Sequence, residues 1–411
     1  MKNIIKLFFA AAFIFCSIIF SSMYMMQSTV ADSYKITRGE EFSIDTKVPV
    51  TAKYNGAKMS QGNQKYVVGE KFDVDLKIFG IIPYSTVSVQ IVDRMYVQVL
   101  GNPFGMKIYT DGVLVVEATD VKTTRGNCNP AIDAGIKIGD YIKSVNGKTV
   151  TTNEELSQII LESGGNSVRV EILRKGKTLH YDLTPALDSE SGFYRLGIWV
   201  RDSSAGIGTL TFYSPSNDVV CGLGHGICDS DTETLLNVQQ GELVGASIVD
   251  IEKGSAGNPG ALKGKFTYEC IADIKLNSEC GVYGFSKKEM FSQELTEIAL
   301  KQQVRNGNAQ ILCTTDGETP KLYSCRIEKC GSNKAKTQNL LVTVTDSELI
   351  KSTGGIVQGM SGSPILQDGK LVGALTHVLV SDSLTGYGVY AENMLETAEK
   401  VARDYELQQA S

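Results

Sequence analysis

Histidine is scarce. The chain of 411 residues holds only His180, His225 and His377, so an imidazole general base has three candidates. Positive charge is also short: 40 Lys and Arg against 46 Asp and Glu leave a net charge of -6. That gives no electrostatic footprint for nucleic acid, which is excluded as a partner. The nine cysteines (Cys16, Cys128, Cys221, Cys228, Cys270, Cys280, Cys313, Cys325 and Cys330) form no tight framework, and a chain of this length has core enough not to need one. Cys221, His225 and Cys228 are spaced C-x3-H-x2-C, but the fourth ligand and second pair of a structural zinc site are missing. No metal and no cofactor is expected. With 42% hydrophobic and 21% charged residues, neither a disordered chain nor a polytopic membrane protein is favoured.

The N-terminus departs from this average. Lys2 and Lys6 precede Leu7–Met26, 20 residues without a charge. A positive start followed by such a run predicts a cytoplasmic N-terminus and an exported remainder. The segment, residues 1–31, reads as an uncleaved anchor or as a cleaved signal with Thr29 and Ala31 at the cut; its apolar length favours the anchor. Residues 32–84 follow as a juxtamembrane linker with the first strands.

From Lys71 the pattern alternates, as in "KFDVDLKIFG" and "STVSVQIVDRMYVQVLG", and predicts strands. "NPFGMKIYTDGVLVVEA" predicts two strands around an Asp111-Gly112 turn. A short helix ending at Gly135, the strand "YIKSV", a helix in "TTNEELSQIILESGG" capped by Thr152 or Asn153 and stopped at Gly164, and a hairpin turning at Lys175-Gly176 complete the unit. This succession, with "AGIKIGDYIKSVNGKTV" inside it, resembles a PDZ domain over 85–185. The resemblance places the peptide-carboxylate loop at Pro103, Phe104, Gly105 and Met106; the N–H groups around Phe104 and Gly105 would meet a chain terminus while the strand Lys107–Tyr109 offers an edge for β-augmentation. His180 falls on the closing strand and reads as a surface or packing residue.

Residues 190–405 are rich in short strands and glycine turns, which predicts one or two barrels, with a last helix over "NMLETAEKVARDYE". Two stretches stand out. "GMSGSP", Gly359 to Pro364, precedes a hairpin turning at Asp368-Gly369, and "CGLGHGICD" places His225 between glycines at a strand end. A serine hydroxyl needs an imidazole to take its proton, a carboxylate to orient that ring, and main-chain N–H groups to meet the oxyanion. Ser361 is the candidate nucleophile, with Ser363 as its rival. His225 is the base, with His377 as its rival, and Gly359 and Ser361 supply the oxyanion amides. Asp346, on the strand end before the loop, is the first choice of acid, ahead of Asp229, Asp231, Asp250 and Asp273. With an ordinary imidazole, activity should rise near pH ~6.5.

"GHGICDSDT", "VTDSELIKSTGGIVQGMSGSPILQDGKLVGALTHV" and "GYGVYAENML", behind a PDZ-like unit and one apolar segment, resemble the stage IV sporulation protein B peptidases. The resemblance implies a mainly β chain with some α: a PDZ domain followed by a trypsin-like β-barrel serine peptidase domain. It also implies a triad on Ser361, His225 and Asp346, and a serine endopeptidase of sporulation signalling. Such an enzyme is exported across the forespore membrane into the intermembrane space and held there by its N-terminal segment or released. It processes itself and cleaves a membrane-bound sporulation regulator, which triggers late sigma-factor activation. The competing class is a non-catalytic PDZ adaptor on a protease-like fold.

Overall fold

The computed structural model describes residues 2–27, 30–40, 42, 44, 46, 48–54, 67–287, 294–330 and 336–410. Helix α1 (Lys2–Gln27) opens the chain. Among the described residues no helix is long and apolar enough to cross a membrane. Thr29, half of the expected signal-peptidase site, lies outside the described residues.

Four strands follow: β1 (Ser33–Thr37), β2 (Val50–Tyr54), β3 (Lys71–Ile78) and β4 (Ile82–Val92), in the sheet order β1-β4-β3-β2. The alternation read in "KFDVDLKI" puts Val74, Leu76 and Ile78 into the core of this sheet. Residues 85–92 therefore belong here rather than to the PDZ-like unit.

Next come β5 (Tyr96–Val99) and the long β6 (Pro103–Ala118), the small hairpin β7 (Val121–Thr123) and β8 (Gly126–Cys128), α2 (Pro130–Ala134), β9 (Tyr141–Val145), β10 (Lys148–Thr149), α3 (Asn153–Glu162), and the hairpin β11 (Val168–Arg174) and β12 (Lys177–Leu183). Thr152 caps α3 in a reciprocal capping box with Glu155. Leu156 and Ile160 of α3 pack with Val113, Val115, Ile142 and Val170 in one apolar core.

After β13 (Ala186–Leu187) and β14 (Tyr194–Arg195) the chain enters β15 (Ile198–Ser214), then β16 (Val219–Gly222), β17 (Val238–Glu252), β18 (Ala261–Ser278), β19 (Gly281–Ser286) and β20 (Thr296–Glu297). The pairings β6–β17, β17–β18, β18–β19, β19–β16, β16–β15 and β15–β6 return to their start, so these strands close a first ring. β21 (Gly307–Cys313), β22 (Lys321–Lys329), β23 (Leu340–Val344), β24 (Pro364–Gln367), β25 (Lys370–Leu379) and β26 (Asp382–Tyr390) form a closed second barrel, with α4 (Ser347–Thr353) between β23 and β24. Helix α5 (Ala391–Ala410) buries Met394, Leu395, Ala398 and Val401 against both barrels.

The expected boundary between PDZ-like unit and peptidase is not a cut. β6 and β15 pair antiparallel from Pro103↔Thr209 to Ala118↔Ile198. One end of this ribbon belongs to the first ring, and the other continues the PDZ-like sheet through Val113↔Ile142. Asp111-Gly112, expected to turn a hairpin, lies inside β6; Gly112 has φ +89 and a Cβ there would sit 2.5 Å from Ile142 O. Gly112→Ala should therefore cost at least about 2 kcal/mol in denaturant unfolding, combining backbone strain with a main-chain clash. Gly176→Ala, at φ +75 in open space, should cost about 1 kcal/mol.

Candidate active site

The nucleophile turn is gripped from behind by both barrels. Thr209 of β15 donates its N–H to Ser361 O (2.8 Å) and its hydroxyl to Gly359 O (2.9 Å), while Thr211 Oγ1 donates to Gly362 O (2.7 Å). From β25, Leu375 O accepts the Gly362 N–H at 2.7 Å. Such close seating demands glycine: at Gly362, with φ +95, a Cβ would lie 1.9 Å from Thr209 O. Met360 is buried in the second barrel's core. Ser363 is fully buried and donates to Met360 O at 2.6 Å, so of the two hydroxyls only that of Ser361 is open, and it donates to Thr376 O at 2.5 Å. Gly359 and Ser361 give their amides to no protein acceptor among the described residues.

His225 comes from the first ring. Its loop leaves β16 through Leu223 and Gly224 at φ +68 and +67, with Leu223 N–H bonded to Thr209 O at 3.2 Å. Asn277 pins the far side of the loop, accepting from Ile227 N–H and donating to Ile227 O and Leu236 O. The ring's Nδ1 lies 2.8 Å from Gly226 O. With Nδ1 donating, Nε2 is left as the acceptor, the tautomer a general base needs. The other ring neighbour is His377, whose centroid is 4.2 Å away at an interplanar angle of 36°. Burial, followed by repulsion from His377, pushes the His225 pKa down to about 4.

The expected acid is engaged elsewhere in this arrangement. Asp346 is the N-cap of α4: Oδ1 accepts the N–H groups of Glu348 (3.0 Å) and Leu349 (3.2 Å), and Oδ2 accepts that of Ser324 (3.2 Å). Burial alone would raise its pKa, but the bonds from Leu349, Ser324 and Glu348 outweigh it and hold the carboxyl below its ordinary value. Among the described residues no carboxylate is bonded to His225. Asp229 is buried and bonded by the N–H groups of Asp231 and Thr232, and Arg201 of β15 pairs with both Asp229 and Asp231. These aspartates tie the His225 loop to β15. Asp250 and Asp273 face Lys263 and Lys287. Cys221 lies in the apolar core while Cys228 is exposed, so the C-x3-H-x2-C string does not gather around one point. His180 is exposed, 3.9 Å from Glu171.

The expected peptide-binding residues are also engaged elsewhere. Pro103, Phe104, Gly105 and Met106 lie in β6, paired on one side with Gly206–Thr209 and on the other with Leu243–Gly245. Their backbone belongs to the interior of the first ring, leaving no open edge, and Phe104 is fully buried. Gly105 is required because a Cβ would sit 2.5 Å from the Phe266 ring. The open edge is elsewhere. Ile198–Arg201 of β15 pair with β6 on one side only, and the opposite edge faces α3, whose Asn153 N–H bonds Asp202 at 2.9 Å. Just before it, Leu196 O accepts from Ala131 N–H (3.0 Å), and Gly197 O from Thr119 N–H (2.9 Å) and buried Asn129 Nδ2 (2.8 Å). In trans peptides the following amides, of Gly197 and Ile198, point the opposite way, away from α2. The signal was present as "RLGIW", a hydrophobic-Gly-hydrophobic string lying past the expected end of the PDZ-like unit.

If capping is the work of Asp346, Asp346→Asn should keep peptidase activity within about tenfold, since Asn caps as well as Asp, and Asp346→Ala should lose about 1 kcal/mol of stability. A triad acid would instead lose about 10⁴-fold in kcat on the Asn change. Steady-state kinetics with denaturant unfolding separates the two.

A PDZ domain family model matches residues 103–184, and the model of the SpoIVB peptidase S55 family matches residues 192–395. Among solved structures, the PDZ domain of the SdrC-like protein from Listeria monocytogenes aligns at 24% identity over 22% of this chain and 87% of its own, with a TM-score of 0.18. The Rv3671c protease from M. tuberculosis aligns in its active form at 13% identity over 48% of this chain and 74% of its own (TM-score 0.28). Its inactive form aligns at 14% over 47% and 84% (TM-score 0.29). The chain is thus a peptidase whose residues 192–395 belong to the SpoIVB peptidase S55 family, behind a PDZ domain at 103–184.

Proposed function

We propose that this protein is a serine endopeptidase that acts outside the cytoplasm in sporulation signalling. The observation that carries the reading is that neighbouring residues of β25 hold both groups: Ser361 Oγ donates to Thr376 O, and the His225 ring, its Nδ1 on Gly226 O, packs on His377. Ser361 Oγ turns from Thr376 O to His225 Nε2, gives up its proton and attacks the scissile carbonyl. The amides of Gly359 and Ser361 receive the oxyanion. His225 returns the proton to the leaving amine as the C–N bond breaks. Water, deprotonated by the same imidazole, then releases the acyl group and restores Ser361. The carbonyl of Gly226, rather than a carboxylate, holds the tautomer.

Protein chains are the substrates. A chain terminus enters between α3 and the free edge of β15, adding a strand along Ile198–Arg201 while the amides of Gly197 and Ile198 take its carboxylate. Capture raises the local concentration of whatever bond lies near Ser361. The family suggests the enzyme's own N-terminal region and a membrane-bound regulator as targets, with the apolar N-terminal segment as anchor until self-processing releases it.

Wild type and Ser361→Ala, each expressed alone in the same host, should differ in length: wild type shortens near its N-terminus by intact mass, and Ser361→Ala stays full length. Equal shortening assigns the cut to a host protease. The depressed pKa of His225 adds a pH expectation. The neutral base persists down to its pKa of about 4, so the acidic limb of the pH–rate profile should lie below the ordinary imidazole value of ~6.5.

A further inference from the structure

The steps proposed for Ser361 and His225 leave His377 unused, although its ring touches that of His225. We propose that His377 is a positioning residue of the reaction: its imidazole packs on the His225 ring and keeps Nε2 turned to Ser361, while Gly226 O takes the Nδ1 that a triad carboxylate would otherwise hold. The inference rests on the serine-peptidase reading.

Three observations converge on the end of β25. The rings of His225 and His377 lie in contact, 4.2 Å between centroids. The residue before His377 holds the nucleophile, through Ser361 Oγ to Thr376 O at 2.5 Å. The loop carrying His225 rests on the same strand, since a Cβ on Gly224 would be 3.1 Å from Thr376 Cγ2 and 3.3 Å from Leu375 O. Nucleophile and base are therefore both referenced to Leu375–His377, a stretch fixed by the Gly362 and Leu375 main-chain bonds and packed by Gly386 against His377 O.

Among the described residues no carboxylate is bonded to either ring, and the aspartates of the neighbouring elements are committed elsewhere. Asp229 and Asp231 bond Arg201, Asp346 caps α4, and Asp382 on β26 accepts from Thr385 Oγ1 and Leu384 N–H. His225 is shifted by burial, by His377 and by the Gly226 carbonyl; His377 is shifted downward by burial. A neutral His377 presents a π face to the imidazolium that forms when His225 takes the serine proton. A protonated His377 opposes that proton.

The test uses the full chain, a fluorophosphonate probe and imidazole NMR, which with three histidines is readily assigned. His377→Ala should slow labelling of Ser361 at neutral pH by about tenfold or more, because the base loses its support. His377→Phe keeps a ring face and should recover most of that rate. Yet it removes the opposing charge, so the His225 NMR midpoint should move up in pH. Labelling of His377→Ala at the native rate, or an unmoved His225 midpoint in His377→Phe, overturns the inference alone. If His377→Ala does not fold, the midpoint in His377→Phe decides. Native protein that the probe does not label overturns the serine-peptidase reading and this inference with it.

Discussion

Thr209 is the residue on which the catalytic geometry depends. Its N–H holds Ser361 O, its hydroxyl holds Gly359 O, and its carbonyl accepts the Leu223 N–H at the root of the His225 loop. One residue of the first ring thus fixes the Ser361 turn of the second barrel and the approach of the His225 loop. Two of these three bonds join main chain to main chain, and a buried main-chain group left unpaired is costly. The turn therefore has little freedom to drift, and Gly362 is the residue that lets it come so close.

The strand that carries Thr209 also carries the open edge of the PDZ domain. β15 runs from Ile198 beside α3 to Ser214 in the first ring, and its partner β6 makes the same passage in reverse. Arg201 adds a lateral tie from that edge to Asp229 and Asp231 in the His225 loop. The PDZ domain and the peptidase are thus one hydrogen-bonded sheet rather than two bodies on a linker. A chain captured along Ile198–Arg201 would lie on the strand whose Thr209 holds Ser361.

What could be read from the residues was whatever glycine geometry and alternation dictate. "GMSGSP" and "GHG" were legible because each needs glycines at positive φ or in tight contact, and the hairpin at Asp368-Gly369 has both residues at positive φ. The departures between expectation and arrangement have physical causes. Asp346 sits at a strand end with a hydroxyl-bearing residue after it, and the seven-residue helix it caps is too short for periodicity to reveal. Gly105 was read as freeing amides for a carboxylate, whereas it makes room for Phe266, a contact between residues 161 positions apart. The strand Ile198–Arg201 completes a unit that looked closed at 185, and pairing across such a distance leaves no local mark.

We propose Ser361 as the nucleophile and His225 as its base, and peptide mapping by mass spectrometry of native protein, and of His225→Ala, treated with a fluorophosphonate tests this most directly. One phosphonyl adduct is expected, on Ser361, and none in His225→Ala. An adduct on Ser363 or elsewhere, or equal modification of Ser361 without His225, would contradict it.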